Sequence, residues 1–143
     1  MQKDIFHKAI TVTDLDRTRA FYGELLGCAT ARRRNDTRSC DFDFFGNHLV
    51  CHLATGDEAA TDRAYLAQVD YRHHHFGLVL DWDAWEALVS RLKQRDAAFM
   101  VEPLYRYVDE PREEALFMLE DPSGHKVEFK AFRQIDYLYR ARA

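Results

Sequence analysis

His7, His75 and Glu128 are the residues of this sequence whose types and positions best suit chemistry. Taken singly, each reads as an ordinary strand residue, at the surface or hydrogen-bonded in the core. Together, two neutral imidazoles and one carboxylate make a facial ligand set that leaves coordination positions open on Fe(II), Mn(II) or Zn(II). A metal held that way polarises a carbonyl, stabilises an enolate or activates dioxygen beside a substrate. Position within the chain brings the three forward. His7 is followed by Ile10 and Val12, and His75 by Leu78 and Leu80, apolar residues three and five positions on. Alternate side chains of a strand face opposite sides. If Ile10, Val12, Leu78 and Leu80 pack under helices, both histidines face the other way. Glu128 stands between Val127 and Phe129, so it shares that other face with Lys126 and Lys130. A carboxylate framed by apolar neighbours is unusual unless something holds it.

The elements that must position these residues repeat. Asp14-Leu15-Asp16 follows the first histidine strand and Asp81-Trp82-Asp83 the second, each offering a helix N-cap. Ala20, Phe21, Tyr22 and Leu25 then match Ala87, Leu88, Val89 and Leu92, one buried stripe on each amphipathic helix. The first helix is expected to stop at Gly27, a left-handed C-terminal residue. Strand-like segments follow at about Ala29 to Arg33, Ser39 to Phe45 and His48 to Leu53. Their counterparts run from about Ala98 to Glu102, Ala115 to Glu120 and His125 to Phe132. Phe45-Gly46-Asn47 and Asp121-Pro122-Ser123-Gly124 are the turns before the two final strands. The chain thus reads as one α+β domain of two βαβββ modules, at about 4–54 and 73–132. A linker at about 55–72, with a short helix near Asp62 to Val69, joins them, and a tail covers 133–143.

Composition narrows the classes. A chain of 143 residues, 47% hydrophobic and 13% aromatic, is long enough to bury a core. Its net charge of -4, from 20 basic and 24 acidic side chains, gives no field for nucleic acid. The run Arg32-Arg33-Arg34 reads as a solvated loop. No apolar run approaches the roughly 20 residues that cross a bilayer, and Met1-Gln2-Lys3-Asp4 opens no signal-peptide core. Cys28, Cys40 and Cys51 fit neither a disulfide framework nor a CxxC site, so reduced thiols in a cytoplasmic protein are expected.

The stretches from His7 to Leu15, Ala20-Phe21-Tyr22 with Leu25 and Gly27, His75-Phe76-Gly77-Leu78, and Asp121-Pro122-Ser123-Gly124-His125-Lys126-Val127-Glu128-Phe129 resemble the vicinal oxygen chelate superfamily. That superfamily groups glyoxalase I, bleomycin-resistance proteins, fosfomycin-modifying enzymes and extradiol dioxygenases. The resemblance runs from about Asp4 to Phe132, and Asp-Pro-x-Gly-x-x-x-Glu is its most specific part. It implies paired modules forming an open, eight-stranded, barrel-like sheet around one divalent metal ion (Fe, Mn, Zn or Ni), with His7, His75 and Glu128 as ligands.

Matching Gly46 to Gly124 sets Val50, which cannot bind a metal, where the glyoxalase pattern has a carboxylate. The remaining three-ligand set fits the dioxygenase and fosfomycin-modifying branches better. His48 and His52 flank Val50 on the same face, and a strand shift of two residues would make His52 a fourth ligand or a substrate contact. His73 shares parity with His75, but only His75 keeps the spacing seen after His7, leaving His73 and His74 at a strand entrance. Thr11, Phe42 or Phe44, Tyr107 and Phe117 or Met118 are further cavity-facing candidates. Tyr105-Arg106-Tyr107 before Asp109-Glu110-Pro111 reads as a lid.

The implied function is metal-dependent chemistry on a small substrate with vicinal oxygens, dioxygenase-like first and lyase or isomerase next, with His52 or Tyr107 moving protons. The alternative is a metal-free, bleomycin-resistance-like protein that sequesters a small molecule. The expected partners are a small-molecule substrate and a second copy of the chain in a homodimer, with no nucleic acid and no membrane.

Overall fold

The computed structural model describes residues 3–31 and 38–140. The chain is α+β, as expected, and divides into two compact units, Met1–Val69 with Asp121–His125 and Asp70–Glu120 with Lys126–Ala143. Among the described residues no helix is long and apolar enough to cross a membrane.

In the first unit, strand β1 (His7–Val12) lies parallel to β3 (Asn47–Leu53), which pairs antiparallel with β2 (Ser39–Phe44), in the order β1-β3-β2. The alternation reads out as burial: Ile10 and Val12 are buried while His7 and Ala9 are exposed. Helix α1 (Leu15–Arg19) starts at Asp14, whose side chain accepts from the Arg17 N–H at 2.9 Å. It widens into a π-helical stretch over Ala20–Leu25, where the Leu26 N–H reaches the Phe21 carbonyl at 3.0 Å. Gly27 then ends the helix in the left-handed conformation, φ 79°. The wider turn moves the closing bond back by one residue, so that the Cys28 N–H donates to Tyr22 rather than to Gly23. Val12, Tyr22, Phe42, Leu49 and Cys51 form the center of this unit's core.

The region expected as a linker with a short helix is mostly helix α2, Gly56–Gln68. It buries no residue, and Asp57 and Glu58 in its first turn suit the positive helix end. Thr11 Oγ1 donates to Asp62 Oδ2 at 2.7 Å and ties it to β1. Of the strand expected at Ala29 to Arg33, the described residues show one bridge, Thr30 with Phe42. Backbone bonds still join it to β2, from the Ala31 N–H to the Asp41 carbonyl and from the Asp43 N–H to the Ala29 carbonyl, and Arg32, Arg33 and Arg34 lie outside the described residues.

In the second unit the sheet order is β4-β7-β6-β5, with β4 Phe76–Leu80, β5 Phe99–Arg106, β6 Glu114–Glu120 and β7 Lys126–Phe132. Only β4 and β7 run parallel. Helix α3 (Trp82–Gln94) buries Trp82, Trp85, Leu88, Val89 and Leu92, one stripe at helical spacing. Asp81 occupies its N-cap position but makes no side-chain capping bond. The Trp85 indole N–H donates to the Phe129 carbonyl at 2.9 Å, satisfying the polar edge of a fully buried ring. A 3₁₀ turn at Ile135–Tyr139 occupies the expected tail. The described residues therefore form two sheets of three and four strands where the sequence suggested eight strands in all.

Candidate functional site

In the second unit His75 immediately precedes β4, and its Nε2 lies 2.8 Å from Glu128 Oε2 on β7. The side chains are 29% and 15% exposed, shielded but reachable. Their approach is set by backbone: Gly77 pairs with Glu128, and a Cβ on Gly77 would fall 1.6 Å from the Glu128 carbonyl oxygen. Only glycine tolerates that approach. His75 Nδ1 lies 2.6 Å from the Tyr71 carbonyl oxygen. A carbonyl only accepts, so Nδ1 carries the proton and donates. In a neutral ring the Nε2 lone pair then faces a carboxylate oxygen, and two acceptors at 2.8 Å need a cation between them, a proton or a metal ion. Engagement of the second imidazole nitrogen by a carbonyl is also the usual setting of a metal-ligating histidine.

In the first unit His7 meets a different residue. The β1–β3 register sets His7 opposite His48, and their Nδ1 atoms are 2.8 Å apart, with ring centroids at 4.8 Å. On its far side His48 Nε2 lies 2.8 Å from Asp41 Oδ2 on β2, a side chain 1% exposed. Asp41 pairs with Val50 and Val50 with Ala9, so Asp41, His48 and His7 share one sheet face. Val50 is buried, and His52 stands exposed on β3 opposite Thr11. A cavity of about 660 Å³ in this unit is lined by Ile5, Ala29, Thr30, Phe42, Asn47 and His48, among others.

The remaining candidates fall elsewhere. His73 and His74 are exposed in a turn closed by their N–H groups donating to the Asp70 carbonyl. Tyr107 has a left-handed backbone, φ 54°, and the Arg112 guanidinium sits 3.8 Å above its ring. Phe42, Phe44, Phe117 and Met118 are buried core. Cys28, Cys40 and Cys51 are buried thiols outside any disulfide. Cys40 faces Cys51 across β2–β3, and the contact between the two thiols pushes Cys51 up and Cys40 down. The Asp-Pro-Ser-Gly segment is structural. Asp121 Oδ1 accepts from the N–H groups of Ser123 and His125, both at 2.9 Å, and its Oδ2 accepts from Tyr22 OH at 2.8 Å. Ser123 Oγ accepts from the Thr13 N–H, and His125 Nε2 donates to the Thr11 carbonyl.

Among the described residues no three His, Cys, Asp or Glu side chains gather as a ligand set. The structure instead brings donors together in pairs, His75 with Glu128 and His7 with His48. The paired imidazole and carboxylate donors suit a borderline divalent metal. Asp41 and the Tyr71 carbonyl are contributors that sequence reading missed. Alternation in Ser39-Cys40-Asp41-Phe42-Asp43-Phe44 puts Asp41 and Asp43 on one face, and only the β2–β3 register brings that face to His48.

The model of the Glyoxalase/Bleomycin resistance protein/Dioxygenase superfamily matches residues 4–129, and the chain belongs to that superfamily. A glyoxalase/bleomycin resistance protein/dioxygenase from Alicyclobacillus acidocaldarius is 33% identical, with TM-score 0.76 over 95% of this chain and 96% of that one. UcmS2 is 25% identical, with TM-score 0.64 over 91% and 98% of the two chains. The fosfomycin resistance protein FosX from Listeria monocytogenes, 15% identical with TM-score 0.59 over 92% and 94%, shares the fold. Comparison with the curated proteins returns no match.

Proposed function

We propose that this protein is a metal-dependent enzyme acting on a small substrate with two neighbouring oxygen atoms, with His7, His75 and Glu128 as the metal ligands and dioxygenase-like chemistry as the first class to assay. The observation that carries this reading is the His75–Glu128 pair. Its Nε2 and Oε2 lie 2.8 Å apart, and the Tyr71 carbonyl accepts from the other imidazole nitrogen. A bound divalent metal would supply Lewis acidity and hold both substrate oxygens in place. The chain's own contribution is orientation. The Tyr71 carbonyl fixes the His75 ring, and the close Gly77–Glu128 backbone pairing fixes where the carboxylate begins. The 660 Å³ cavity with its largely apolar lining favours a second reading, small-molecule binding without a metal.

Metal content of untagged protein, measured by plasma mass spectrometry, separates the two. The enzyme reading expects about one Fe, Mn, Zn or Ni per chain in the wild type and almost none in Glu128→Ala. Wild-type protein that stays empty after reconstitution with each of these metals refutes it and leaves the binding reading.

A further inference from the structure

We infer that Asp41 and His48 are positioning residues for His7, holding its ring so that Nε2 is the metal-binding nitrogen; this rests on the metal reading above. Asp41 anchors the chain of contacts. Its side chain is 1% exposed and its Oδ2 is 2.8 Å from His48 Nε2. A carboxylate accepts, so His48 carries a proton on Nε2, and in the neutral ring its Nδ1 presents a lone pair. That Nδ1 is the atom 2.8 Å from His7 Nδ1. With a neutral His48, His7 donates into that lone pair, which places the His7 proton on Nδ1 and its lone pair on Nε2.

Three adjacent strands supply one residue each, His7 from β1, His48 from β3 and Asp41 from β2, on one face of one sheet. A sheet is a stiffer support than a loop, and His7 needs one because it is exposed at the start of its strand. In the second unit the Tyr71 carbonyl does for His75 what His48 does for His7, receiving the proton of the nitrogen that does not bind. Asp41 and His48 thus take the place of the carbonyl or carboxylate that usually orients a ligating histidine.

Two measurements test this. Long-range proton–nitrogen correlation spectra of the metal-free protein report each histidine's tautomer, and the expected result is Nδ1–H on His7 and Nε2–H on His48. Titration with Co²⁺ then compares wild type, His48→Phe, His48→Asn, Asp41→Asn and Glu128→Ala, each checked for folding by circular dichroism. Loss of an orienting partner typically weakens metal affinity about 10- to 100-fold. His48→Phe should show that loss with the Co²⁺ visible spectrum unchanged in shape. His48→Asn, which keeps an acceptor near the Nδ1 position, should recover most of the affinity, and Asp41→Asn should fall between. The proposal is overturned if His7 carries its proton on Nε2, or if His48→Phe binds Co²⁺ as tightly as wild type while Glu128→Ala does not. It is equally overturned if His48→Phe changes the shape of the spectrum, since His48 would then be a ligand itself. Wild-type protein that binds no Co²⁺ overturns the metal reading, and the role proposed for the pair falls with it.

Discussion

Gly77→Ala isolates the closest backbone approach in the second unit. The added Cβ would sit 1.6 Å from the Glu128 carbonyl oxygen, 2.6 Å from its carbonyl carbon and 2.9 Å from its nitrogen. Real Cβ atoms essentially never come under 3.0 Å, so β4 and β7 must separate locally by about 1.4 Å. A ladder bond of about 2.9 Å stretched that far is no longer a hydrogen bond. Losing about two such bonds costs roughly 0.5–1.5 kcal/mol each, and overpacking adds roughly 1–3 kcal/mol. The total is about 3 kcal/mol, or a fall in Tm of about 10 °C for a chain of this length. Gly23→Ala is the matched control, because its Cβ would meet nothing nearer than 3.8 Å. In a helix that exchange is neutral or stabilising by up to about 1 kcal/mol. Calorimetry of both variants, with metal content measured alongside, gives the answer. Gly77→Ala should lose stability and metal together. A Tm within about 2 °C of wild type with metal retained would refute the claim that backbone contact fixes Glu128.

Two further outcomes follow from the turn after β6. Asp121→Ala strands three donors, the Tyr22 hydroxyl and the N–H groups of Ser123 and His125. At roughly 1–3 kcal/mol per buried unsatisfied group, partly relieved by water, urea denaturation should show a loss of about 4 kcal/mol. Burial first, and then the Asp121 carboxylate, hold the Tyr22 hydroxyl well above the ordinary tyrosine range. A raised folded-state value means the contribution is complete below the unfolded value near 10.0 and is lost as pH climbs beyond it. Stability measured by urea from pH 8 to 11 should therefore fall more steeply in wild type than in Tyr22→Phe, even though the variant starts lower. Parallel curves would refute it.

Much of this arrangement is legible in the residues. Alternation around Ile10, Val12, Val127 and Phe129 sorts faces correctly, because burial in a half-covered sheet has a period of two. Gly27 announces the end of the first helix because few other residues adopt a positive φ cheaply. What sequence hides is pairing. His48 and His52 have the same parity, and only the register decides that His48 faces His7. The π-helical widening before Gly27 is equally silent, because a helix with i→i+5 bonds buries nearly the same apolar stripe as one without. Tyr71 escapes notice for another reason: its carbonyl, not its side chain, makes the contact.

The most recognisable stretch of the chain, Asp121 to Glu128, performs two tasks that its continuity conceals. Asp121, Ser123 and His125 spend their polar groups on backbone and on Tyr22, all within the first unit. Glu128, three residues beyond His125, is the carboxylate of the second unit's donor pair. A motif recognised as a whole invites a single functional reading, yet its members answer to different physics. Asp121 is constrained by the cost of leaving buried donors unsatisfied, and a change there should register in stability. Glu128 is constrained by the need for an anion beside His75 Nε2. Removing it takes away the carboxylate that faces that nitrogen, so its loss should register in metal content before it registers in folding.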